Sequence, residues 1–179
     1  MQRAEQELLF LSVQDGDTAA FNRLVQFFHQ PLVHYAYRIC GDASLAEEAV
    51  QEAWLSFAKT HRQIKDSRAF RSHLYRLVGW RVTDAARANQ KHREAEAPFV
   101  EEQHGVFSDQ SDDSDLLRQA IDALPAVERQ IIHLFYIGEL SVAEVANVLA
   151  IAQGTVKSRL SRARKLLKTK LEAQQRCAG

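Results

Sequence analysis

A cluster of basic and hydroxyl side chains near the C-terminus carries the most specific chemistry in this sequence. Between positions 155 and 165, five residues are Lys or Arg, three are Ser or Thr, and none is acidic. Basic side chains contact phosphates, while hydroxyl side chains contact phosphates and base edges alike. Val156, Leu160 and Ala163 fall on the opposite, apolar side, so the segment predicts an amphipathic helix with a DNA-binding face. The predicted contact residues are Thr155, Lys157, Ser158, Arg159, Ser161, Arg162 and Lys165.

A short helix with a strong start signal precedes this basic helix. Ser141 and Glu144 have the spacing of a capping box, and apolar residues follow at helical spacing. Another helix, ending at Gly138, comes before it. This order of elements is that of a helix-turn-helix, whose last helix enters the DNA major groove. Most runs of charge are only solvated surface, but the correctly spaced short helix favours DNA binding here.

A second candidate surface lies on a helix predicted from Ser67 or Ala69 to His92. Its apolar side consists of Phe70, Leu74, Leu77, Val78 and Ala85. Its polar side consists of His73, Arg76, Trp80, Thr83, Arg87 and Lys91. An exposed aromatic ring among cations is suited to stacking on unpaired bases. The alternative is that Trp80 packs against a neighbouring domain or the stem of an Arg side chain.

Three more helices precede that one. The first is predicted over residues 3–14, and the second runs from near Thr18 to Gly41 with a bend or restart at Pro31. The third begins after Asp42 or Ser44. Its predicted buried stripe is Leu45, Ala49, Val50, Trp54, Phe57 and Ala58, which leaves Glu47, Glu48, Gln51 and Glu52 outside.

Charge divides the chain into two all-α domains and a linker. The 179 residues carry no net charge, but residues 95–115 hold 7 acidic residues and no Lys or Arg, while residues 116–179 hold 10 basic and 5 acidic residues. The acidic, Ser-rich stretch lacks helical periodicity and is predicted to be a flexible linker. We expect domains at 1–94 and 115–179, a linker at 95–114, and Asp115 as the cap of the first helix after it.

Several classes of protein are disfavoured by what the sequence lacks. There is no Gly-rich phosphate loop, paired metal-ligand motif or triad-like arrangement, so we expect no catalytic residue, metal or cofactor. The histidines at 29, 34, 61 and 133 are interpreted as surface or core residues. Cys40 and Cys177 are expected to be free thiols. Without a signal peptide or a long apolar run, the protein is expected to be cytoplasmic and not inserted in a membrane.

The whole chain resembles the extracytoplasmic-function (ECF) sigma factors of bacterial RNA polymerase, the small two-domain class. The matching pieces are GDTAAFNRLVQFFHQPLVHYAYRICGD, DASLAEEAVQEAWLSFAK, RAFRSHLYRL and DALPAVERQIIHLFYIGELSVAEVANVLAIAQGTVKSRLSRARKLL, in the family's order. The resemblance implies a non-enzymatic subunit that binds core polymerase and directs promoter-specific initiation. An anti-sigma protein is a further partner that the resemblance implies.

The resemblance also implies a role for each surface. The third helix would dock on the coiled-coil clamp of the polymerase's largest subunit through Glu47, Glu48, Gln51 and Glu52. The loop from Thr60 to Arg68 and the following helix would recognise and open the −10 element. The residues concerned are Arg62, Lys65, Arg68, Arg71, His73, Arg76, Trp80, Thr83, Arg87 and Lys91. The helix-turn-helix would read the −35 element, and the linker would thread toward the RNA exit path. Gly79-Trp80 stands where the family usually has Arg-Asn.

One other class of function fits the same motifs. An autonomous transcriptional regulator would bind DNA through the helix-turn-helix and use the N-terminal helices for ligand binding or dimerisation. A gel shift with and without core polymerase discriminates the two. Specific binding only in the presence of polymerase favours the sigma factor, and tight binding by the free protein favours the regulator.

Overall fold

The structure is a computed structural model that describes the backbone of residues 2–95 and 112–177 and the side chains of residues 2–85 and 117–172. All regular structure within these ranges is helical, which confirms the all-α prediction. The chain divides into two compact units, Met1–His104 and Gly105–Gly179. Most of the predicted linker, including residues 96–111, lies outside the described residues.

Four helices form the N-terminal unit. They are α1 (Arg3–Gln14), α2 (Thr18–Cys40), α3 (Ala43–Thr60) and α4 (Phe70–Ala95), with single 3₁₀ turns at His61–Gln63 and Ser67–Ala69 between the last two. α1 has the predicted bounds, and α2 continues through Pro31 as one helix. α4 extends three residues beyond the predicted His92.

Local signals explain where these helices begin and end. The Asp17 carboxylate accepts hydrogen bonds from the backbone N–H groups of Ala19 and Ala20 at 2.8 and 3.1 Å, which caps α2. Asp42 caps α3 in the same way through Leu45 N–H at 3.0 Å. Gly41 ends α2 in the left-handed region, with φ of 71°, which glycine adopts at no steric cost.

Aromatic rings fill the core of the N-terminal unit. Phe10 of α1 stacks on Phe70 of α4 with ring centroids 4.8 Å apart, and Phe28 of α2 meets Phe70 edge-on at 5.7 Å. Tyr35 of α2 and Tyr75 of α4 are both buried and contact each other edge-on at 5.3 Å. Buried rings dominate the energetics of a small core, so these contacts fix α4 against the other helices.

The predicted buried stripe of α3 is wrong at two positions. Ala46 and Ala53 are buried, whereas Leu45 is half-buried and Ala58 is exposed. α3 contacts both α2 and α4. Small alanines let a helix backbone approach its neighbours closely, so Ala46 occupies the contact in place of the bulkier Leu45. Ala58 is exposed because it lies near the end of α3, after the last buried residue, Phe57.

Four helices and a π-helical segment form the C-terminal unit. They are α5 (Asp112–Asp122), α6 (Ala126–Ile132), the π segment His133–Ile137, α7 (Val142–Leu149) and α8 (Gln153–Cys177). α5 begins three residues before the predicted cap, so Asp115 lies inside the helix and does not cap it. The core includes the predicted Val156 and Leu160 together with Ile131, Leu134 and Val145, while Phe135 is half-buried.

The predicted helix-turn-helix is present as α7, a tight turn and α8. Ser141 and Glu144 form the reciprocal capping box, with Ser141 N–H donating to the Glu144 carboxylate at 2.8 Å. Ala150 ends α7 in the left-handed region, with φ of 53°. This conformation is unfavourable for alanine.

Candidate nucleic-acid interfaces and docking face

The basic helix α8 presents its predicted contact residues to solvent. Lys157, Ser158, Ser161, Arg162 and Lys165 are exposed, and Thr155 and Arg159 are half-buried at the flanks. Their apolar neighbours Val156, Leu160 and Ala163 are buried in the unit. We call the seven predicted residues the α8 basic face. The face therefore has the geometry that the sequence predicted, while its contact with DNA stays a prediction.

Glu128 in the first turn of α6 supports the centre of the α8 basic face. Its Oε1 lies 3.7 Å from Nε of Arg162, and the Glu128 side chain is 7% exposed whereas that of Arg162 is 70% exposed. The carboxylate thus lies beside the Nε edge of a guanidinium that remains largely exposed. Glu128 was not predicted from the sequence because 34 positions separate it from Arg162.

Arg164 is held differently from the residues of the α8 basic face. Its Nε donates a hydrogen bond to Oη of Tyr136 at 2.8 Å, and its guanidinium lies 5.7 Å from the centroid of the Tyr136 ring. The Phe135 ring is 6.0 Å away. These contacts engage Arg164 with the aromatic side chains of the π segment.

Trp80 is a large aromatic residue on the exposed side of α4. Its side chain is 71% exposed, so it does not pack within the N-terminal unit. Arg76, one turn earlier, is also exposed, and its Nη2 lies 3.3 Å from Nδ1 of His73. Burial and the charge of Arg76 lower the pKa of the half-buried His73, which favours a neutral ring at pH 7. We call Trp80, Arg76 and His73 the α4 polar face.

Two residues of α4 that were predicted to contact the −10 element, Arg71 and Thr83, are not exposed. Arg71 is buried, only 3% exposed, because it continues the inner row of α4 formed by Tyr75, Val78 and Val82 at helical spacing. The assignment of Arg71 as an exposed DNA contact is therefore wrong. Thr83 is half-buried, and its hydroxyl donates to Gly79 C=O at 2.7 Å within the helix. The side chains of Arg87 and Lys91 lie outside the described residues.

The loop over residues 61–69, called here the α3–α4 loop, presents further cations. Arg62 and Lys65 are exposed, and between them the Ile64 side chain anchors the loop in the core. Arg68 donates from Nε and Nη2 to the two Asp66 oxygens, both at 3.0 Å. These hydrogen bonds hold the pKa of Asp66 below its usual value. Part of the Arg68 charge is therefore balanced within the loop.

The outer side of α3 forms an acidic face, called here the α3 docking face. Glu48, Gln51 and Glu52 are exposed, and Glu47 is half-buried with Oε1 2.9 Å from Nε2 of His29 on α2. On the same face, Leu55 is 65% exposed. Leu55 was not predicted for this face, although it lies four residues after Gln51 and seven after Glu48, a spacing that places the three on one side of a helix.

Arg81 of α4 crosses to the α3 docking face. Its Nη1 lies 3.6 Å from Oε2 of Glu52, and its Nη2 donates to Oγ of Ser56 at 2.9 Å. Exposed pairs of this kind contribute little to stability, about 0–1 kcal/mol. Their effect here is to orient the Glu52 carboxylate on the face.

Metal sites and membrane spans are absent from the part of the chain that the structure describes. No group of three or more His, Cys, Asp or Glu in that part of the chain is arranged to hold a metal ion. Likewise, no helix there is long and apolar enough to cross a membrane. Cys40 is a free thiol whose pKa is raised by burial, while the side chain of Cys177 is not described.

Two family models match the two units. Sigma-70 region 2 matches residues 24–92, and Sigma-70, region 4 matches residues 114–167. The fold and its two candidate DNA-binding surfaces therefore define a sigma-70-type transcription factor.

Relatives that match most of the chain show which group of sigma-70-type factors it belongs to. The chain is 30% identical over 173 residues to the ECF RNA polymerase sigma factor SigW of Bacillus subtilis (strain 168), with 89% of this chain and 92% of the relative covered. It is 30% identical over 165 residues to the ECF RNA polymerase sigma factor SigM of Mycobacterium tuberculosis (strain H37Rv), covering 91% and 82%. The chain belongs to the ECF RNA polymerase sigma factors, and it directs promoter-specific transcription by that polymerase.

Solved structures share the fold. The sigma factor RpoE of Bartonella quintana, in complex with the anti-sigma factor NepR, superimposes with a TM-score of 0.71 at 22% identity, covering 85% of this chain and 96% of that one. CnrH, in complex with the cytosolic domain of CnrY, gives a TM-score of 0.66 at 23% identity, covering 94% and 97%. These structures confirm the predicted fold class, while the family models and the full-length relatives confirm the predicted family and disfavour the autonomous regulator.

Proposed function

We propose that the chain divides promoter recognition between its two units, with the α8 basic face reading the −35 element and the α4 polar face with the α3–α4 loop opening the −10 element. The observation that carries this proposal is the α8 basic face, where exposed cations and hydroxyls stand on a helix that follows a capped short helix. That arrangement fits a helix lying in the major groove, with its side chains reaching base edges and phosphates.

For the −10 element, we assign strand capture to Trp80. Opening several base pairs costs their stacking and pairing, and an aromatic surface offsets part of this by stacking on an unpaired base, with about 1–3 kcal/mol per base. The exposed indole and the adjacent Arg76 supply such a surface together with a cation for the backbone. Arg62 and Lys65 in the α3–α4 loop supply further positive charge nearby in the sequence.

For core polymerase, we assign docking to the α3 docking face. The resemblance to ECF sigma factors directs this helix to the coiled-coil clamp of the largest subunit. Glu48, Gln51 and Glu52 provide acceptors for basic and amide groups on that clamp, and Leu55 provides an apolar contact. A mixed surface with an apolar centre and a polar rim is typical of protein–protein interfaces.

The remaining assignments concern catalysis, the location in the cell, the acidic linker and an inhibitor. The chain contributes no catalytic group, so nucleotidyl transfer belongs to the polymerase, and the site of action is the cytoplasm. The acidic segment 95–114 threads toward the RNA exit path, where its charge resembles that of nucleic acid. Because one solved structure with this fold, that of RpoE, is a complex with an anti-sigma factor, we also assign such an inhibitor to this chain.

A gel shift on promoter duplex with and without core polymerase tests the proposal. Specific binding is expected only with polymerase, because the N-terminal half has little net positive charge for phosphate contacts. Tight, specific binding by the free chain would instead support the autonomous regulator. Failure to co-elute with core polymerase, with no inhibitor present, would exclude the docking assignment.

A further inference from the structure

Gln14, the last residue of α1, joins that helix to the α3–α4 loop. Its Nε2 donates hydrogen bonds to His61 C=O at 3.2 Å and to Ile64 C=O at 2.8 Å. The three residues are brought together across 47 and 50 positions of sequence. A primary amide has two N–H groups, and here they serve the two carbonyls that flank the exposed Arg62.

The same loop is fixed at several other points. Ile64 N–H donates to His61 C=O at 3.2 Å, and the Ile64 side chain is buried. Beyond Ile64, Asp66 caps the next 3₁₀ turn through Arg68 N–H at 3.0 Å. A Cβ added at Gly16, in the turn after α1, would lie 3.7 Å from Nη2 of Arg62. The Gln14 side chain at the end of α1 thus contacts the backbone of the loop, and the turn after α1 lies near the Arg62 side chain.

We infer that Gln14 is a positioning residue for −10 capture, acting through the backbone of the α3–α4 loop. Gln14 itself touches no DNA in this scheme. It holds the carbonyls on either side of Arg62 in place, so that the cations Arg62 and Lys65 meet the promoter strand without first becoming ordered. Binding groups held in advance cost less conformational entropy on association. The inference rests on the proposed role of the loop at the −10 element.

The test uses holoenzyme reconstituted from core polymerase and the full chain carrying Gln14→Ala or the isosteric Gln14→Glu. Permanganate reactivity of −10 thymines is expected to fall about tenfold in each, the loss expected when one or two hydrogen bonds are removed. Glu is expected to fail like Ala because its carboxylate cannot donate to the two carbonyls. Gln26→Ala, at an exposed glutamine on α2, is the matched control and should leave strand opening unchanged.

Three measurements separate positioning from a general loss of structure. In Gln14→Glu, the affinity for core polymerase and the binding to a −35-only duplex within holoenzyme should stay unchanged, and the melting temperature of the free chain should fall only by the few degrees that one or two lost hydrogen bonds cost. Affinity for a promoter whose −10 element is already unpaired should still fall, because the defect lies in capture and not in melting. A joint fall of melting temperature and core affinity would overturn the inference.

The double variant Arg62→Ala with Lys65→Ala distinguishes this inference from the function on which it rests. Unchanged strand opening in that variant would refute the role of the loop at −10. Reduced opening in that variant, combined with normal opening in Gln14→Ala, would refute only the positioning role of Gln14.

Discussion

Glu128 and Arg162 form an ion pair between α6 and α8, in which a nearly buried carboxylate lies 3.7 Å from the guanidinium of an exposed arginine. The substitution Glu128→Gln keeps the shape of the side chain and removes its charge. We expect −35 affinity of the holoenzyme to fall by about twofold to fivefold, as for the loss of a modest ion pair. Glu139→Gln, at an exposed carboxylate of the same unit, is the control for net charge. An equal or higher affinity in Glu128→Gln would mean that the carboxylate opposes DNA binding instead of aiding it.

The double substitution Arg162→Ala with Lys165→Ala removes two cations from the α8 basic face. Transcription that depends on the −35 element should be lost, while binding to core polymerase stays intact. Each phosphate contact removed should also reduce the slope of log affinity against log salt by about 1. Lys168→Ala, an exposed cation on the same helix that pairs with Glu172, should change transcription little. Loss of polymerase binding in the double variant would contradict the division of labour between the units.

Trp80→Ala tests strand capture. Because the indole is 71% exposed, the free energy of unfolding should change by no more than about 0.5 kcal/mol. Open-complex formation should slow by more than duplex binding weakens, and Trp80→Phe should retain part of the wild-type rate. Permanganate footprinting measures the opening. An unchanged footprint in Trp80→Ala would assign Trp80 to a protein contact instead of a base.

Gly79 allows α4 to approach α2. A Cβ added there would lie 3.1 Å from Oη of Tyr35, so the ring must shift by a few tenths of an ångström. Alanine otherwise stabilises a helix interior by about 1 kcal/mol relative to glycine. We therefore expect Gly79→Ala to be more stabilising in a Tyr35→Phe background than in the wild type, by about 1 kcal/mol. Chemical denaturation of the wild type, the two single variants and the double variant gives the four free energies of unfolding. Additive effects would show that the Tyr35 hydroxyl does not limit the stability gained by alanine at position 79.

Leu55→Ala probes the α3 docking face. Leu55 is 65% exposed, so its truncation should not alter folding, but it should lower affinity for core polymerase by about threefold to tenfold. Leu8→Ala on α1 is a closely matched control, since Leu8 is also 65% exposed. Titration of labelled chain with core polymerase gives both affinities. Equal effects of the two substitutions would indicate that α3 has no special part in docking.

Local sequence signals were sufficient for most helix bounds. Asp17, Asp42 and the Ser141–Glu144 capping box act through neighbours two or three residues away, so their effect is visible in the sequence. The exposed position of Trp80 followed from helical periodicity in the same way. Contacts within one turn of helix were therefore mostly predicted correctly, with the Asp115 cap as an exception.

Long-range contacts account for what the sequence did not predict. The resemblance assigned Arg71 to the −10 contacts, but packing of α4 buries it in the inner row. The partners Gln14 and Glu128 act on residues 34 to 50 positions away, and no spacing rule joins such positions. The π segment after α6 was likewise not predicted, since a single extra residue per turn leaves little trace in an apolar pattern.

The turn that joins α7 to α8 contains no residue that favours its own shape, because Ala150 adopts a left-handed conformation that alanine disfavours. The packing of α7 on α8, which includes the buried Val145, Val156 and Leu160, must therefore set the angle between the two helices. Under the proposed function, the tilt of α8 in the major groove is then determined by the apolar interior of the unit. A substitution at one of these buried residues, which would contact no nucleotide, could thus change which promoters the protein recognises.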